Sequence, residues 1–335
     1  MKHLVAKHIL AKAGLVLCLV CLFAPLSAAD KGKGTAIPGQ LTLADPFVYE
    51  EDGMFYIYGT HSHDGIVVYK SGDLKHWEGP CGNACDGLAL HKDDAWGTYW
   101  FWAPEVYKVG DRYVMLYSSE EHLAVAFADS PLGPFRQEDG PGAYNPSREG
   151  IDGHVFTDDD GSKYLYWVRW DRGFGNEIWC SRISDDLKTL QGEQVHCIQT
   201  RIGTWEQVQD DCMVAEGPFV VKHNGRYYLS FSCNGYTDRE YAVGYAVADN
   251  PFGPWQRFEG NPILHRRCGD VGTGHHMLLT TSAGRNYIVY HTHWSETEIH
   301  PRRTCIAPYR FVRRKGQDEI RIGKKTIVPC CNPEQ

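Results

Sequence analysis

The chain has 335 residues, a formal net charge of −8 and 42% hydrophobic residues, which is enough apolar material for a large folded core. This acidic balance argues against a nucleic-acid partner, because binding to phosphates requires a basic face. Aromatic residues reach 13%, with 10 Trp and 19 Tyr, and this favours either strand-rich structure or ring faces that stack on sugars.

Residues 1–29 have the pattern of a secretory signal peptide. Three lysines accompany the apolar run "AGLVLCLVCLFAPL", and small residues then permit cleavage before Asp30. The run is too short to span a membrane comfortably as a permanent helix. We therefore predict an exported protein, periplasmic or extracellular, with no membrane attachment after cleavage.

Ten of the 12 cysteines follow the predicted signal peptide, which contains the other two. An even number of cysteines in an exported chain predicts disulfides. Zinc binding is disfavoured because no paired CxxC motif is followed by histidines. The pairs that lie close in sequence are Cys81/Cys85, Cys180/Cys197 and Cys212/Cys233.

Five segments repeat one pattern: a short apolar run, a tight polar turn and an aromatic-rich strand. In chain order they are "PFVYEEDGMFYIYGT", "EVYKVGDRYVMLYSS", "HVFTDDDGSKYLYWV", "PFVVKHNGRYYLSFS" and "HMLLTTSAGRNYIVYHT". Turns such as Asp52-Gly53 and Asn224-Gly225 predict hairpins, because tight primed turns need positive φ. A broken strand follows most segments, which gives about four strands in each unit of roughly 50–60 residues.

The repeat predicts an all-β fold, a five-bladed β-propeller whose four-stranded antiparallel blades surround a central channel. Closure of the ring hides the sheet edges. Because five units fill the mature chain, residues 30–335 are predicted to form a single catalytic domain. A two-sheet sandwich is the alternative, and the repeat makes it less favourable.

Acidic residues recur where the innermost strand of a predicted blade begins, at one mouth of the channel. Solvated turns explain single acids there, but several acids at one mouth are harder to obtain by chance. Converging carboxylates predict glycoside hydrolysis, which needs one protonated acid and one ionised carboxylate. A third carboxylate raises the pKa of the acid, because like charges resist joint ionisation. The positions are Asp45, Glu105 (or Ala103), Asp152, Glu216 and His275.

The motifs "ADPF", "GIDGHVF" and "AEGPFVV" resemble those of glycoside hydrolase family 43, the five-bladed arabinofuranosidases, xylosidases and arabinanases. The resemblance covers essentially the whole mature chain, in order. It implies that Asp45 is the general base and Glu216 the general acid. It also implies that Asp152 orients the acid and tunes its pKa.

Further residues follow from the same resemblance. "FWAPEV" implies that Trp102 shapes the sugar pocket, and "GTGHH" places His275 on the channel axis, where calcium is a candidate cofactor. Glu105 and His63 are candidates for the pocket edge. The "HPRR" segment offers Arg302 and Arg303 for substrate binding, and we predict that Arg303 binds the substrate.

The resemblance implies an inverting mechanism, in which the acid and the base lie roughly 6.5–9.5 Å apart to admit a water. We predict a monomeric, exo-acting enzyme that removes arabinofuranose or xylose from plant-type polysaccharides or oligosaccharides. The alternatives are an endo-arabinanase or galactofuranosidase of the same family, or a non-catalytic carbohydrate-binding propeller. The last would lose at least one of the three acids.

Overall fold

Strands make up almost all of the regular structure. The computed structural model describes residues 39–138, 150–171, 175–209 and 212–331. In these ranges the only helical segments are two short 3-10 turns, Cys85–Gly87 and Arg267–Gly269. No helix of the described residues is long and apolar enough to cross a membrane. The predicted signal peptide, residues 1–29, lies outside the described residues.

The strands form five antiparallel blades around a channel, as the repeat predicts. Blade 1 and the short strand inserted in it comprise β1 (Ala44–Glu51), β2 (Met54–Thr60), β3 (Gly65–Ser71), β4 (His76–Trp77) and β5 (Leu88–His91). Blade 2 comprises β6 (Trp102–Val109), β7 (Arg112–Ser119) and β8 (His122–Ala128). Its outer position is reduced to a bridge between Phe127 and Arg136.

The remaining blades follow the same plan. Blade 3 comprises β9 (Ile151–Thr157), β10 (Lys163–Asp171), β11 (Gly175–Ile183) and β12 (Leu190–Gln199). Blade 4 comprises β13 (Ala215–His223), β14 (Arg226–Cys233), β15 (Ala242–Ala248) and β16 (Gln256–Arg257). Blade 5 comprises β17 (Gly274–Thr280), β18 (Asn286–Thr292), β19 (Arg303–Arg314) and β20 (Gln317–Ile322), and β21 (Cys330–Cys331) ends the described chain.

The predicted hairpin turns have the expected backbone. Asp52 and Gly53 join β1 to β2 with φ values of 52° and 77°, and Asn224 and Gly225 join β13 to β14 with 48° and 74°. Positive φ at two successive residues matches the twist of the flanking strands. These two Asx-Gly pairs therefore fix where the inner hairpins of blades 1 and 4 reverse.

Aromatic side chains fill much of the core between blades. Burial of one large apolar side chain stabilises the fold by about 1.5–3 kcal/mol. Many of the aromatic residues in the sequence therefore serve the core. The fully buried tyrosines include Tyr58, Tyr117, Tyr166, Tyr228, Tyr245 and Tyr290.

The ring is closed by contacts between segments that are distant in sequence. β21 pairs in parallel with β4 of blade 1. Before β1, the N–H of Leu41 donates to the carbonyl of Pro329 at 2.8 Å, and its carbonyl accepts the N–H of Thr304 at 2.9 Å. Blade 1 is thereby tied to blade 5, which covers edges that would otherwise be unpaired.

The cysteines of two of the three pairs that lie close in sequence are not joined by disulfides. Cys81 and Cys85 are thiols, since Cys85 is exposed while the Sγ of Cys81 faces the carbonyl of Val68 at 3.6 Å. Cys180 and Cys197 are thiols on the neighbouring strands β11 and β12. At the third pair, the Sγ of Cys212 accepts the N–H of Gly235 at 3.2 Å.

Candidate active site

Each innermost strand has an irregularity near its start, at one mouth of the channel. One residue there has a φ between 40° and 55°, and the pairing register shifts beside it. Such a backbone is costly for residues other than glycine, and it persists only where the surroundings enforce it. We call these five residues the mouth positions: Asp45, Ala103, Asp152, Gly217 and His275.

The register shows which residues are equivalent between blades. Glu216 precedes its mouth position by one residue, as Trp102 does, and the two pair with Ser232 and Ser118 respectively. Glu105 follows its mouth position by two residues, as His154 does. Glu105 is therefore not the counterpart of Asp45, and it lies one layer deeper along the channel.

The mouth opens into a pocket of about 340 Å³, which is at the small end of the usual range for ligand sites. The three predicted acids Asp45, Asp152 and Glu216 all line it, although each is at most 9% exposed. Its other walls include Trp102, Trp170, Tyr236, His275 and Arg302.

Asp45 is surrounded by donors and cations. Thr60 donates to its Oδ2 at 2.6 Å, Arg302 Nη1 lies 3.1 Å from its Oδ1, and His275 Nδ1 lies 3.4 Å from the same oxygen. Burial alone would raise the pKa of Asp45, but Arg302, His275 and His291 together hold that pKa well below its usual value. Asp45 is therefore ionised at neutral pH and able to take a proton from water.

Glu216 has the opposite electrostatics. Burial and the nearby charge of Asp152 raise the pKa of Glu216 to about 7, although a hydrogen bond from the Tyr241 hydroxyl to Oε1, at 2.7 Å, opposes the rise. A carboxyl group with such a pKa keeps its proton in weakly acidic solution. Glu216 is thus able to donate a proton.

Asp152 has contacts near both of the other acids. Its Oδ2 accepts the N–H of Gly217 at 3.1 Å and lies 3.8 Å from His275 Nδ1. Burial raises the pKa of Asp152, the charge of His275 opposes this, and the charge of Asp45 adds to it. Because Gly217 follows Glu216 in the chain, the same bond fixes Asp152 beside Glu216.

Backbone N–H groups of the mouth positions are held by side chains of the preceding blade. Each acceptor lies near the end of that blade's second strand, at a position equivalent in the pairing register. The bonds are Ala103 N–H to Thr60 Oγ1 (3.0 Å), Asp152 N–H to Ser118 Oγ (3.1 Å), His275 N–H to Ser232 Oγ (2.9 Å) and Asp45 N–H to His291 Nδ1 (3.1 Å).

Blade 3 departs from this scheme. The equivalent residue is Val168, which pairs with Ile151 and has no side-chain acceptor. The N–H of Gly217 turns instead to the carboxylate of Asp152. An apolar residue in the third blade thus leaves a backbone donor available for an acid of the pocket.

The other predicted site residues lie in different places. Trp102 forms a wall of the pocket. Glu105 contacts His154 Nδ1 at 3.0 Å and the Tyr107 hydroxyl inside the channel. His63 is exposed in the turn after β2.

Arg303 does not reach the pocket. It is buried, with Nη2 2.6 Å from Asp270 Oδ1 and Nε donating to the carbonyl of His293 at 2.9 Å. Arg302 lines the pocket instead, because neighbouring residues at a strand start point to opposite faces.

Several residues of the site had no assigned role in the sequence analysis. Thr60 and Tyr241 bind Asp45 and Glu216 respectively, while His291 contacts both Asp45 and Arg302, with Nε2 3.4 Å from Nη1 of the arginine. The signal for Thr60 and His291 was their position at the ends of the second strands. Tyr241 lies just before β15 and had no signal in the repeat.

The residues around His275 do not fit a calcium ion bound by protein ligands. Calcium takes six to eight oxygen ligands, whereas the carboxylates beside His275 are already engaged by Thr60, Arg302 and the N–H of Gly217. The channel below holds a cavity of only about 10 Å³, room for about one water. Among the residues that the structure describes, no group of three or more His, Cys, Asp or Glu could hold a metal.

Comparisons with known proteins identify the family of the chain. Residues 39–313 match the family described as Glycosyl hydrolases family 43. The chain is similar to the solved structure of an endo-1,4-β-xylanase from Bacteroides thetaiotaomicron, with 38% identity, a TM-score of 0.79, and coverage of 88% of this chain and 98% of that one. A β-D-galactofuranosidase of Aspergillus niger is 27% identical, covering 85% of this chain and 84% of its own.

An extracellular exo-α-(1→5)-L-arabinofuranosidase of Streptomyces chartreusis is also 27% identical, covering 79% of this chain and 88% of its own. The names of these three relatives differ in the sugar and in the mode of attack, but all describe glycosidases. With the family match over most of the chain, the propeller and its acidic pocket, the chain belongs to glycoside hydrolase family 43 and is an inverting glycoside hydrolase.

Proposed function

We propose that Glu216 is the general acid, Asp45 the general base and Asp152 the residue that tunes the pKa of the acid. The observation that carries this assignment is the opposite electrostatics of two carboxyl groups in one pocket. The pKa of Glu216 is raised to about 7, and that of Asp45 is held well below its usual value. Titratable groups whose environments push their pKa values apart have distinct acid and base roles.

In the proposed reaction, Glu216 gives its proton to the glycosidic oxygen while the bond from that oxygen to the anomeric carbon breaks. Asp45 takes a proton from a water whose oxygen bonds to the anomeric carbon from the opposite face. The leaving saccharide departs as an alcohol, and the released sugar has the inverted configuration. Exchange with solvent then returns the proton from Asp45 and protonates Glu216. No step runs through a metal.

We propose that the substrates are plant-type polysaccharides or oligosaccharides, from whose ends the enzyme removes arabinofuranose or xylose. The small pocket, in which three acids meet aromatic walls, supports the binding of one terminal sugar. The likeness to an extracellular arabinofuranosidase supports this choice and also supports export. Endo action is the second candidate, favoured by the 38% identity with an enzyme named as an endo-xylanase. We propose that the enzyme acts as a monomer.

Glu216→Gln tests the assignment of the acid. On xylo- and arabino-oligosaccharides we expect kcat to fall by about 10²–10⁴, the usual contribution of general acid catalysis. Aryl glycosides with good leaving groups should lose much less, because their departure needs little protonation. Glu105→Gln is the matched control, since this acid lies in the channel below the pocket, and it should retain most of the activity. Equal losses in the two variants on natural linkages would refute the role of Glu216.

Product analysis tests the mode of attack. Proton NMR of the first-formed sugar should show the inverted anomer, and a retained anomer would overturn the roles of Asp45 and Glu216 together. Release of monosaccharide from the start of the reaction supports exo action. Early release of mixed oligosaccharides, with a rapid fall in viscosity, supports endo action instead.

A further inference from the structure

Two large aromatic side chains stand in solvent beside the pocket. Tyr99 is 47% exposed and Trp100 is 46% exposed, although rings of this size usually bury most of their surface. The two rings meet edge to face with centroids 4.8 Å apart. Trp100 also stacks on the pocket residue Trp102, with centroids 5.2 Å apart and an angle of 17° between the rings. We call Tyr99 and Trp100 the aromatic shelf.

The backbone under the aromatic shelf is held by hydrogen bonds. Glu120 Oε1 accepts the N–H and the hydroxyl of Thr98 at 2.9 and 2.8 Å. The hydroxyl of Ser119 donates to the carbonyl of Tyr99 at 2.6 Å. Both partners belong to the second hairpin of blade 2, so the shelf is fixed to the propeller rather than carried on a free loop.

The local conformation also turns the rings outward. Trp100 has a φ of 59°, which a bulky residue adopts only where its surroundings enforce it. The next residue, Phe101, is 1% exposed and stacks on Tyr117, which anchors the segment in the core. Trp100 and Trp102 lie on either side of this anchor and share one face. A continuous aromatic surface therefore leads from the pocket wall into solvent.

We infer that the aromatic shelf is the subsite for the second sugar unit of the substrate, on the leaving-group side of the bond that is cleaved. This inference rests on the proposed function, in which the terminal sugar occupies the pocket beside Trp102. A neutral saccharide is the occupant that fits, because the surface is made of ring faces and the apolar faces of sugar rings pack on them. Rings fixed in advance bind with less loss of conformational entropy than mobile ones. The enzyme is thus built for chains of at least two sugars.

The inference predicts that chain length matters only when the shelf is intact. The probes are methyl β-D-xylopyranoside and methyl α-L-arabinofuranoside, compared with xylotriose and α-1,5-arabinotriose. In the wild type, kcat/KM should be higher for a trisaccharide than for the methyl glycoside of the same sugar. Trp100→Ala should reduce that ratio about tenfold, the effect of losing one good stacking contact. Trp100→Phe, which keeps a ring, should restore part of it, and the exposed Ile202→Ala should leave it unchanged.

Calorimetry on Glu216→Gln separates this inference from the proposed function. Trisaccharide binding that weakens about tenfold when Trp100→Ala is added supports the shelf, even if the wild type hydrolyses none of the four probes. In that case the proposed substrates are wrong, but the assignment of the aromatic shelf as a sugar-binding subsite is retained. The inference is overturned if Trp100→Ala binds and hydrolyses trisaccharides as the parent does. It is also overturned if sedimentation shows that Trp100 holds two copies of the chain together.

Discussion

The first strands of blades 1 and 2 begin with similar sequences but place their acids at different depths in the channel. "ADPF" and "WAPEV" each place Pro beside an acid, and each contains a residue with positive φ. In blade 1 the acid Asp45 is itself the mouth position, whereas in blade 2 that position is Ala103 and the acid Glu105 follows two residues later. A step of two residues keeps a side chain on the same face of a strand but moves it about 6–7 Å along the strand, so Glu105 enters the channel below the pocket.

The layer that contains Glu105 has a different character from the mouth. In the other blades, its equivalents include His154 and the apolar residues Phe47, Phe219 and Met277. Glu105 contacts His154, and His154 packs on Phe219 with ring centroids 4.1 Å apart. We therefore assign this layer to closing the channel beneath the pocket, and the mouth layer to chemistry.

The largest expected effect comes from removing the carboxylate at the mouth of blade 1. Asp45→Asn keeps the shape of the side chain but cannot take a proton from water, so kcat should fall by about 10²–10⁴ on every substrate, aryl glycosides included. Initial rates on an aryl arabinofuranoside and an aryl xyloside measure this. An equal loss of activity in Glu105→Gln, which changes the acid of blade 2, would refute this contrast between the two blades.

The sequence predicts the fold better than the site. The fold follows from local turns and their repetition, whereas the site depends on contacts between residues that are distant in sequence. The hairpins at Asp52-Gly53 and Asn224-Gly225 are local signals, and repetition alone arranges them in a ring. The three acids are recognisable because each belongs to its own blade motif. Their proton affinities depend on partners from other blades, however, as with Arg302 of blade 5 at Asp45 or Asp152 of blade 3 at Glu216. The choice of Arg302 over Arg303 needed the strand start itself, which the "HPRR" pattern leaves open.

A second prediction concerns pH. In the proposed mechanism Glu216 is protonated and Asp45 ionised, so kcat/KM should fall as pH rises through about 7 and, on the acid side, only well below pH 3.8. Asp152→Asn removes a negative charge that raises the pKa of Glu216, so the basic limb should move to lower pH. The pH profile of kcat/KM on an oligosaccharide measures the shift. An unmoved or higher basic limb would show that Asp152 does not act on the acid through its charge.

The deeper layer should affect stability instead. Glu105→Gln weakens a partly buried contact with His154, and we expect the free energy of unfolding to fall by about 1–3 kcal/mol. Denaturant unfolding followed by tryptophan fluorescence measures the loss, and the pH profile should keep its wild-type basic limb. Asp111→Asn, at the exposed turn between β6 and β7, provides a surface control. A shift of the basic limb in Glu105→Gln would show that the deeper layer also affects the proton affinity of Glu216.

The smallest expected effect comes from Val168, the apolar residue that stands where other blades supply an acceptor. Val168→Thr keeps the shape and places a hydroxyl at the register position from which Thr60 Oγ1 accepts the N–H of Ala103. We expect this hydroxyl to compete for the N–H of Gly217. Asp152 would then lose a hydrogen bond that lowers its pKa. With Asp152 ionised less often, the pKa of Glu216 falls, so the basic limb moves to lower pH, as in Asp152→Asn but less far.

Val168→Ala separates the hydroxyl from the change in packing. It removes two methyl groups and adds no acceptor, so it should cost stability, as other buried truncations do, without moving the basic limb. A shift in Val168→Thr alone would trace part of the acid's proton affinity to an apolar side chain of blade 3. Equal profiles in both variants would show that the bond from Gly217 to Asp152 does not depend on Val168. The irregularity of blade 3 would then be a feature of packing, and the base and acid would owe their difference to the charges around them.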